Sequence, residues 1–190
     1  MESTYPIGRK IAALRNLKKI EIQDLAAKAG LSVNQLKLIE SGTSIPSLGV
    51  LIRISRAMAI RIGTILDDTV REGPAIVRAN DRISAYSFST NEDNTREHLT
   101  FYSLAPNKAG RHMEPFIVDI IPGENKQLPK SSHEGEEFIF VMEGKITVAY
   151  GTDIFELGKG DSIYLDSIVD HLVTTTGTKA TILGVVYVPV

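Results

Sequence analysis

The residues most suited to chemistry lie in a short stretch that begins at His133. Glu137 follows four positions later, and an apolar run starts at Phe138. Successive side chains of a strand point to opposite faces, so His133 and Glu137 share one face with Ile139 and Val141. An imidazole and a carboxylate therefore point the same way above an apolar floor, which makes them candidate members of a metal site.

The other face of this predicted strand is also apolar, because it carries Phe138, Phe140 and Met142. A strand that is apolar on both faces is covered on both sides. The interior of its own sandwich or barrel provides one cover, and another domain or subunit provides the second. Together with the apolar end at 182–190, this pattern predicts a homodimer.

Short strands with regular turns continue through the C-terminal two thirds of the chain, which is typical of a sandwich or barrel. The polar stretch 89–97 is predicted to be a mobile loop. Strands are expected at 76–78, 83–88, 99–104, 116–121, 138–142, 146–150, 153–157, 162–165, 172–176 and 181–188.

The first third has a helical period instead. Apolar residues recur at helical spacing and predict helices at 7–17, 22–29, 33–40 and 62–66, with a further helix opened by Pro46-Ser47. The tight turn Gly30-Leu31-Ser32, in which Ser32 is a good N-cap, joins two of these short helices. Such a pair fits a helix-turn-helix.

Charge divides the chain in the same place. Residues 1–66 contain 10 Lys and Arg against 4 Asp and Glu, whereas the remainder contains 11 against 19. A basic part joined to an acidic part suggests two domains with different partners, one of them a polyanion. We predict a helical domain at 1–68, a linker and first strand at 69–80, and a β-barrel at 81–190.

Composition excludes several classes of protein. The chain has no cysteine, so disulfides and thiolate metal sites are excluded. No apolar run approaches the ~20 residues needed to span a bilayer. No signal-peptide pattern is apparent at the N-terminus, so a cytoplasmic protein without a membrane partner is expected.

The first third resembles the helix-turn-helix domain of Cro/CI-type (XRE family) transcription regulators. The resemblance is carried by 24–26, 30–32, Leu36, 39–42 and 46–48. It implies that the third helix enters the major groove of an operator. The implied DNA-binding residues are Ser32, Val33, Asn34, Gln35, Lys37 and Thr43, with backbone amides at 42–44 as further phosphate donors.

The remainder resembles a cupin, or double-stranded β-helix. The stretch 133–144 resembles the first cupin motif, and Gly158-Lys159-Gly160-Asp161 followed by His171 resembles the second. The resemblance implies that His133, Glu137 and His171 bind a divalent metal, with Ser131 standing where many cupins have another histidine. This donor set suits Fe(II) and could also hold Zn, Mn or Ni. The expected fold class is therefore α+β and multidomain, an all-α bundle followed by an all-β barrel.

A site without metal is the alternative. His133 could then bond a loop carbonyl, Glu137 could pair with Lys130 or Lys145, and the barrel could bind an organic effector. Candidate effector-pocket residues are Tyr102, Lys130, Ser131 and Tyr150. His98 and His112 are isolated and are expected on the surface or in loops.

Two functions from different classes remain open. The first is a non-enzymatic, sequence-specific transcription regulator whose cupin domain dimerises and senses a small molecule or a metal. The second is a non-haem Fe(II)-dependent oxidase, because the whole layout resembles the hydroxypropylphosphonate epoxidases. The polar face of the third helix favours the regulator.

Overall fold

The computed structural model describes residues 6–67, 71–81, 86–88, 99–122 and 130–189. The first of these ranges is helical, the second contains a short 3-10 helix at Ala79–Asp81, and the other three contain the strands. No described helix has the length and apolar character needed to cross a membrane. The helices are α1 (Pro6–Leu17), α2 (Ile22–Ala29), α3 (Val33–Glu40), α4 (Leu48–Ala57) and α5 (Ile62–Leu66).

Local signals explain where α2, α3 and α4 begin and end. Gly30 ends α2 in the left-handed conformation (φ 65°), and its N–H donates to the carbonyls of that helix. Ser32 caps α3, and Ser47 caps α4 by accepting from the N–H of Val50. The helices pack around a common core that includes Ile11, Leu25, Leu36, Leu51 and Ile52.

The strands are β1 (Tyr86–Phe88), β2 (Leu99–Ser103), β3 (Met113–Ile120), β4 (Glu136–Glu143), β5 (Lys145–Tyr150), β6 (Asp153–Gly158), β7 (Ser162–Asp166), β8 (His171–Thr174) and β9 (Ala180–Tyr187). They form two antiparallel sheets. The larger sheet has the order β1-β2-β3-β9-β4-β7, and the smaller has the order β6-β5-β8. Residues of both sheets, such as Val141 and Val148, are fully buried in one apolar core.

The expected division into a helical part and a strand-rich part is confirmed, with one difference in the joining segment. The strand predicted at 76–78 is wrong, because this backbone is irregular and Ile76 is largely exposed. An isolated bridge between Arg71 and Lys108 is the strand-like pairing found nearby. The predicted loop at 89–97 and His98 lie outside the described residues.

Alternation along β4 is confirmed. Ile139 and Val141 are buried, whereas Phe140 on the other face is 37% exposed. β4 lies between β7 and β9, so Glu137 stands opposite Leu165 on one side and Val186 on the other. The face that carries Glu137 therefore points into the barrel.

Charged side chains join the helical part to the barrel. The Arg53 guanidinium, on α4, donates to the carbonyl of Ser132 at 3.2 Å. Arg111, just before β3, forms ion pairs with Asp67 after α5 and with Glu114 in β3. The helical part is thus fixed against the barrel by side chains from several elements.

Candidate functional site

Three side chains from two separate stretches meet at one end of the barrel. His133 Nε2 lies 2.8 Å from Glu137 Oε1, and His171 Nε2 lies 3.6 Å from the same oxygen. One ligand atom of each residue lies within 4.8 Å of the other two. The two imidazole rings are 5.5 Å apart and nearly perpendicular. The sequence-predicted set of His133, Glu137 and His171 is therefore brought together.

Backbone geometry holds the two members of the first stretch at their spacing. Gly135 lies between them with φ 113°, which other L-residues rarely adopt. A Cβ at Gly135 would lie 2.1 Å from the carbonyl oxygen of Tyr187. The glycine thus lets the chain pass against β9 and turn from His133 into β4.

Strand pairing brings in the third member. His171 begins β8, and its backbone exchanges two hydrogen bonds of 2.9 Å with Ser131. His133 is fixed to a neighbouring segment, because its N–H donates to the carbonyl of Ser167 at 2.9 Å. Backbone hydrogen bonds therefore bring His133 and His171 together, although the two residues lie far apart in sequence.

The outer nitrogens of both rings are engaged. Nδ1–H of His133 donates to the carbonyl of Glu134 at 3.1 Å, and Nδ1–H of His171 donates to the carbonyl of Val169 at 2.8 Å. These contacts turn both Nε2 atoms towards Glu137. Carbonyl contacts of this kind orient the histidine ligands of metal sites.

Electrostatics favour an ionised carboxylate at this point. Burial alone would raise the pKa of Glu137, but the hydrogen bond from His133 and the attraction of His171 together outweigh burial and lower that pKa to about 2. Burial opposes the charged form of His171, yet the Glu137 carboxylate, the Val169 carbonyl and Asp170 together raise its pKa. The carboxylate is thus a ready anionic ligand, and these three residues fit a divalent metal ion.

The alternative partners considered for Glu137 are engaged elsewhere or exposed. Lys130 donates to the carbonyl of Gly151, and Lys145 is exposed at the start of β5. His112 is exposed beside a small cleft between the helical part and the barrel.

A cavity of about 730 Å³ opens at the three-residue cluster. Its deep part lies within the barrel, and its outer part is bounded by α3, the following loop and the start of α4. Lys130 and Ser131 line it, whereas Tyr102 and Tyr150 are not among the described residues that do so. The Tyr150 hydroxyl instead donates to the carbonyl of Asp166 at 3.3 Å.

The start of α4 lies against the cluster of His133, Glu137 and His171. A Cβ at Gly49 would lie 3.3 Å from Cδ2 of His133 and 3.5 Å from Cβ of Ser131. Arg53, one turn later, binds the carbonyl of Ser132. Sequence reasoning missed both residues, because nothing local to α4 indicates which loop it contacts.

The predicted DNA-binding residues have different roles around α3. Asn34 and Lys37 are exposed, whereas Val33 packs partly against the helical core. Ser32 Oγ accepts from the N–H of Gln35 at 3.1 Å, and Gln35 Oε1 accepts from the N–H of Ser32 at 2.7 Å. This capping box engages the oxygen of Gln35, which leaves Asn34 and Lys37 as the exposed polar groups of the helix.

The loop after α3 differs from expectation. The amides of Gly42, Thr43 and Ser44 donate to the carbonyls of Ile39 and Leu38 at 2.9 to 3.0 Å. The prediction that these amides are phosphate donors is therefore wrong in this conformation. Thr43 remains exposed, with its hydroxyl 2.9 Å from that of Ser41.

Comparisons with known proteins agree with the division into a helical part and a strand-rich part. Residues 11–65 match the helix-turn-helix family model, and residues 116–187 match the cupin domain model. The comparison with curated proteins gives no match.

Solved structures resemble the chain over nearly its whole length. An HTH_3 family transcriptional regulator from Vibrio cholerae is 23% identical, with 97% of this chain and 96% of that chain covered and a TM-score of 0.70. The Fe(II) form of HppE with the alternative substrate (S)-1-HPP is 23% identical, with coverage of 97% and 98% and a TM-score of 0.50. These likenesses concern the fold. The chain thus combines an N-terminal helix-turn-helix domain with a C-terminal cupin domain.

Proposed function

We propose that the protein is a sequence-specific DNA-binding transcription regulator whose cupin domain dimerises and binds a small-molecule or metal effector. The observation that carries this proposal is the exposure of Asn34 and Lys37 on α3, a helix that begins with a capping box. An asparagine amide can pair with adenine, and a lysine can meet phosphate or guanine. The excess of basic residues before residue 67 supports a polyanionic partner.

Effector control is supported by the contact between the two domains. The loop that carries His133 touches α4 at Gly49 and accepts a hydrogen bond from Arg53. A metal or ligand held by His133 therefore acts on a segment that contacts the DNA-binding domain. A ligand changes DNA affinity only by binding one domain arrangement better than another.

The metal would be held by His133, Glu137 and His171, and Fe, Zn, Mn and Ni are the candidates. Such an ion supplies open coordination positions for an anionic ligand. The protein's own contribution is to orient both imidazoles through the carbonyls of Glu134 and Val169.

Dimerisation is supported by the outer face of the larger sheet. Phe138 stands opposite Tyr164, and Phe140 and Tyr187 are also partly exposed on neighbouring strands. A second copy would cover these side chains and present two α3 helices to successive turns of DNA, ~34 Å apart. In sedimentation, Phe140→Glu is expected to convert a dimer into a monomer, and a wild-type monomer at micromolar concentration would contradict the dimer.

The decisive experiment is selection of bound fragments from a random DNA library, followed by titration of the enriched sequence. Asn34→Ala is expected to relax preference at a base pair by ~1–3 kcal/mol. Lys37→Ala is expected to weaken binding to all sequences and to reduce the salt slope by about 1. Lys159→Ala, an exposed lysine in the turn after β6, is the matched control. Failure to enrich any sequence would refute the regulator.

Iron-dependent oxidation is a second candidate function, favoured by the donor set alone. Two imidazoles and one carboxylate with open positions are the ligands of non-haem Fe(II) oxygenases. The test is oxygen uptake by the Fe(II)-loaded chain with hydroxypropylphosphonate. Substrate-dependent uptake that is lost in Glu137→Ala would establish the enzyme.

A further inference from the structure

The cavity at the metal-binding cluster has two chemically different parts. Its deep part is lined by apolar side chains of the larger sheet, whereas its mouth adds polar groups of the barrel rim and the helical domain to further apolar side chains such as Leu38 and Leu48. The apolar residues of the deep part include Phe101, Phe116, Val118, Ile139 and Val186. An apolar wall with polar groups at one end fits an amphiphilic ligand.

A glycine leaves part of this wall open. Gly184 in β9 stands between Phe116 of β3 and Ile139 of β4, directly opposite both. A Cβ at Gly184 would have one neighbour within 4 Å, a methyl carbon of Val118 at 4.0 Å. Glycine within a strand often marks the close approach of a ligand, and here it widens the deep part of the cavity.

Charge at the mouth favours an anionic group. Glu137 is the single carboxylate among the described residues that line the cavity, whereas Lys130 and Arg53 both line it. A divalent ion at His133, Glu137 and His171 would add further positive charge. The polar end of the ligand is therefore negative, and an oxygen anion suits a divalent metal.

We propose that the cavity binds an amphiphilic carboxylate, whose hydrocarbon chain lies beside Gly184 and whose carboxylate lies at the His133–Glu137–His171 end. This inference rests on the proposed function, since such a ligand is the effector that the regulator would sense. The outer rim includes Leu48 and Gly49 at the start of α4, so the helix-turn-helix domain bounds part of the cavity.

The first measurement uses the ligand alone. The full chain with zinc is titrated with octanoate in a calorimeter, beside acetate, which lacks the chain, and 1-octanol, which lacks the charge. Octanoate is expected to bind at least ~100-fold more tightly than acetate, because burial of six methylene groups separates the two. It is also expected to bind at least ~10-fold more tightly than 1-octanol, because only the carboxylate meets the cationic end. Equal affinity for octanoate and either comparison compound would overturn the proposal.

The second measurement changes the volume of the cavity. Gly184→Leu is expected to weaken octanoate binding at least ~10-fold, with zinc stoichiometry unchanged, since a Cβ at residue 184 has no atom of the three ligands within 4 Å. Gly184→Ala is the smaller step and is expected to give a smaller loss. Val185→Leu adds volume on the opposite face of the same strand and is the matched control. Unchanged octanoate affinity in Gly184→Leu would overturn the proposal.

The DNA-selection experiment separates this inference from the proposed function. Selective DNA binding without octanoate binding overturns the ligand assignment and leaves the regulator in place. Octanoate binding with the expected Gly184 dependence, but no DNA selectivity, supports the ligand site and refutes the regulator.

Discussion

Arg111 is the side chain whose removal should most disturb the junction between the two domains. Its Nε donates to Glu114 at 2.7 Å, its Nη1 donates to Asp67, and the same Nη1 lies 3.3 Å from the carbonyl of Lys108. All three charged side chains of this cluster are less than 10% exposed. Gly63 leaves room for the guanidinium, because a Cβ there would lie 2.9 Å from Nη2.

Arg111→Met keeps much of the side-chain volume and removes the charge. Asp67 and Glu114 are then left buried without their cation, and breaking a buried ion pair in this way costs ~3–5 kcal/mol. That loss is a large fraction of the ~5–15 kcal/mol that stabilises a typical protein. We therefore expect the free energy of unfolding to fall by about 3–5 kcal/mol at pH 8.

The assay is urea unfolding followed by circular dichroism, with midpoint and slope both recorded. Lys179→Met is the matched control, because it removes an ion pair to Asp119 of 2.8 Å whose lysine is 53% exposed. Exposed pairs contribute ~0–1 kcal/mol. The loss in Arg111→Met should shrink in the double variant with Glu114→Gln, since one uncompensated charge is then absent. A loss in Arg111→Met no larger than that of the control would refute the reasoning.

Three further outcomes are expected. Burial outweighs the attraction of Arg111 and raises the pKa of Glu114 from 4.5 to about 7; its stabilising contribution is complete below pH 4.5 and is lost as the pH rises through 7. The free energy of unfolding of the wild type should therefore fall by up to about 3 kcal/mol as the pH rises through this range. Glu114→Gln should abolish that fall, and an unchanged pH profile would contradict this. Gly135→Ala forces a Cβ against the Tyr187 carbonyl, so metal content should fall together with a stability loss of at least ~1–3 kcal/mol; full metal content would show that the turn does not position His133. Removal of metal by a chelator should raise the amide hydrogen exchange of 131–137, because the ion links both histidines to Glu137, whereas exchange in α2 should stay as it was.

Several features followed from local sequence alone. Helical spacing, Gly30 and the Ser32 cap identify α2 and α3 because helix caps and periodicity depend on residues a few positions apart. Strand alternation likewise placed Glu137 and Ile139 on one face, whereas His133 precedes β4 and reaches Glu137 through the turn at Gly135. The single glycine within the apolar run 182–186 was a local signal for open space that could have been used.

Other features depend on tertiary contacts. His171 approaches Glu137 only through the pairing of its backbone with Ser131, and Arg111 meets Asp67 only because the end of α5 lies beside the segment before β3. The capping box engages the side-chain oxygen of Gln35, and the amides of 42–44 donate to carbonyls of α3. Fewer polar groups of this region are therefore available for contact with DNA. Periodicity fixes which face of an element is buried, but the partner of that face is set by packing over the whole chain. The shared cavity between α3, α4 and the barrel is therefore a property of the folded protein and not of any one segment.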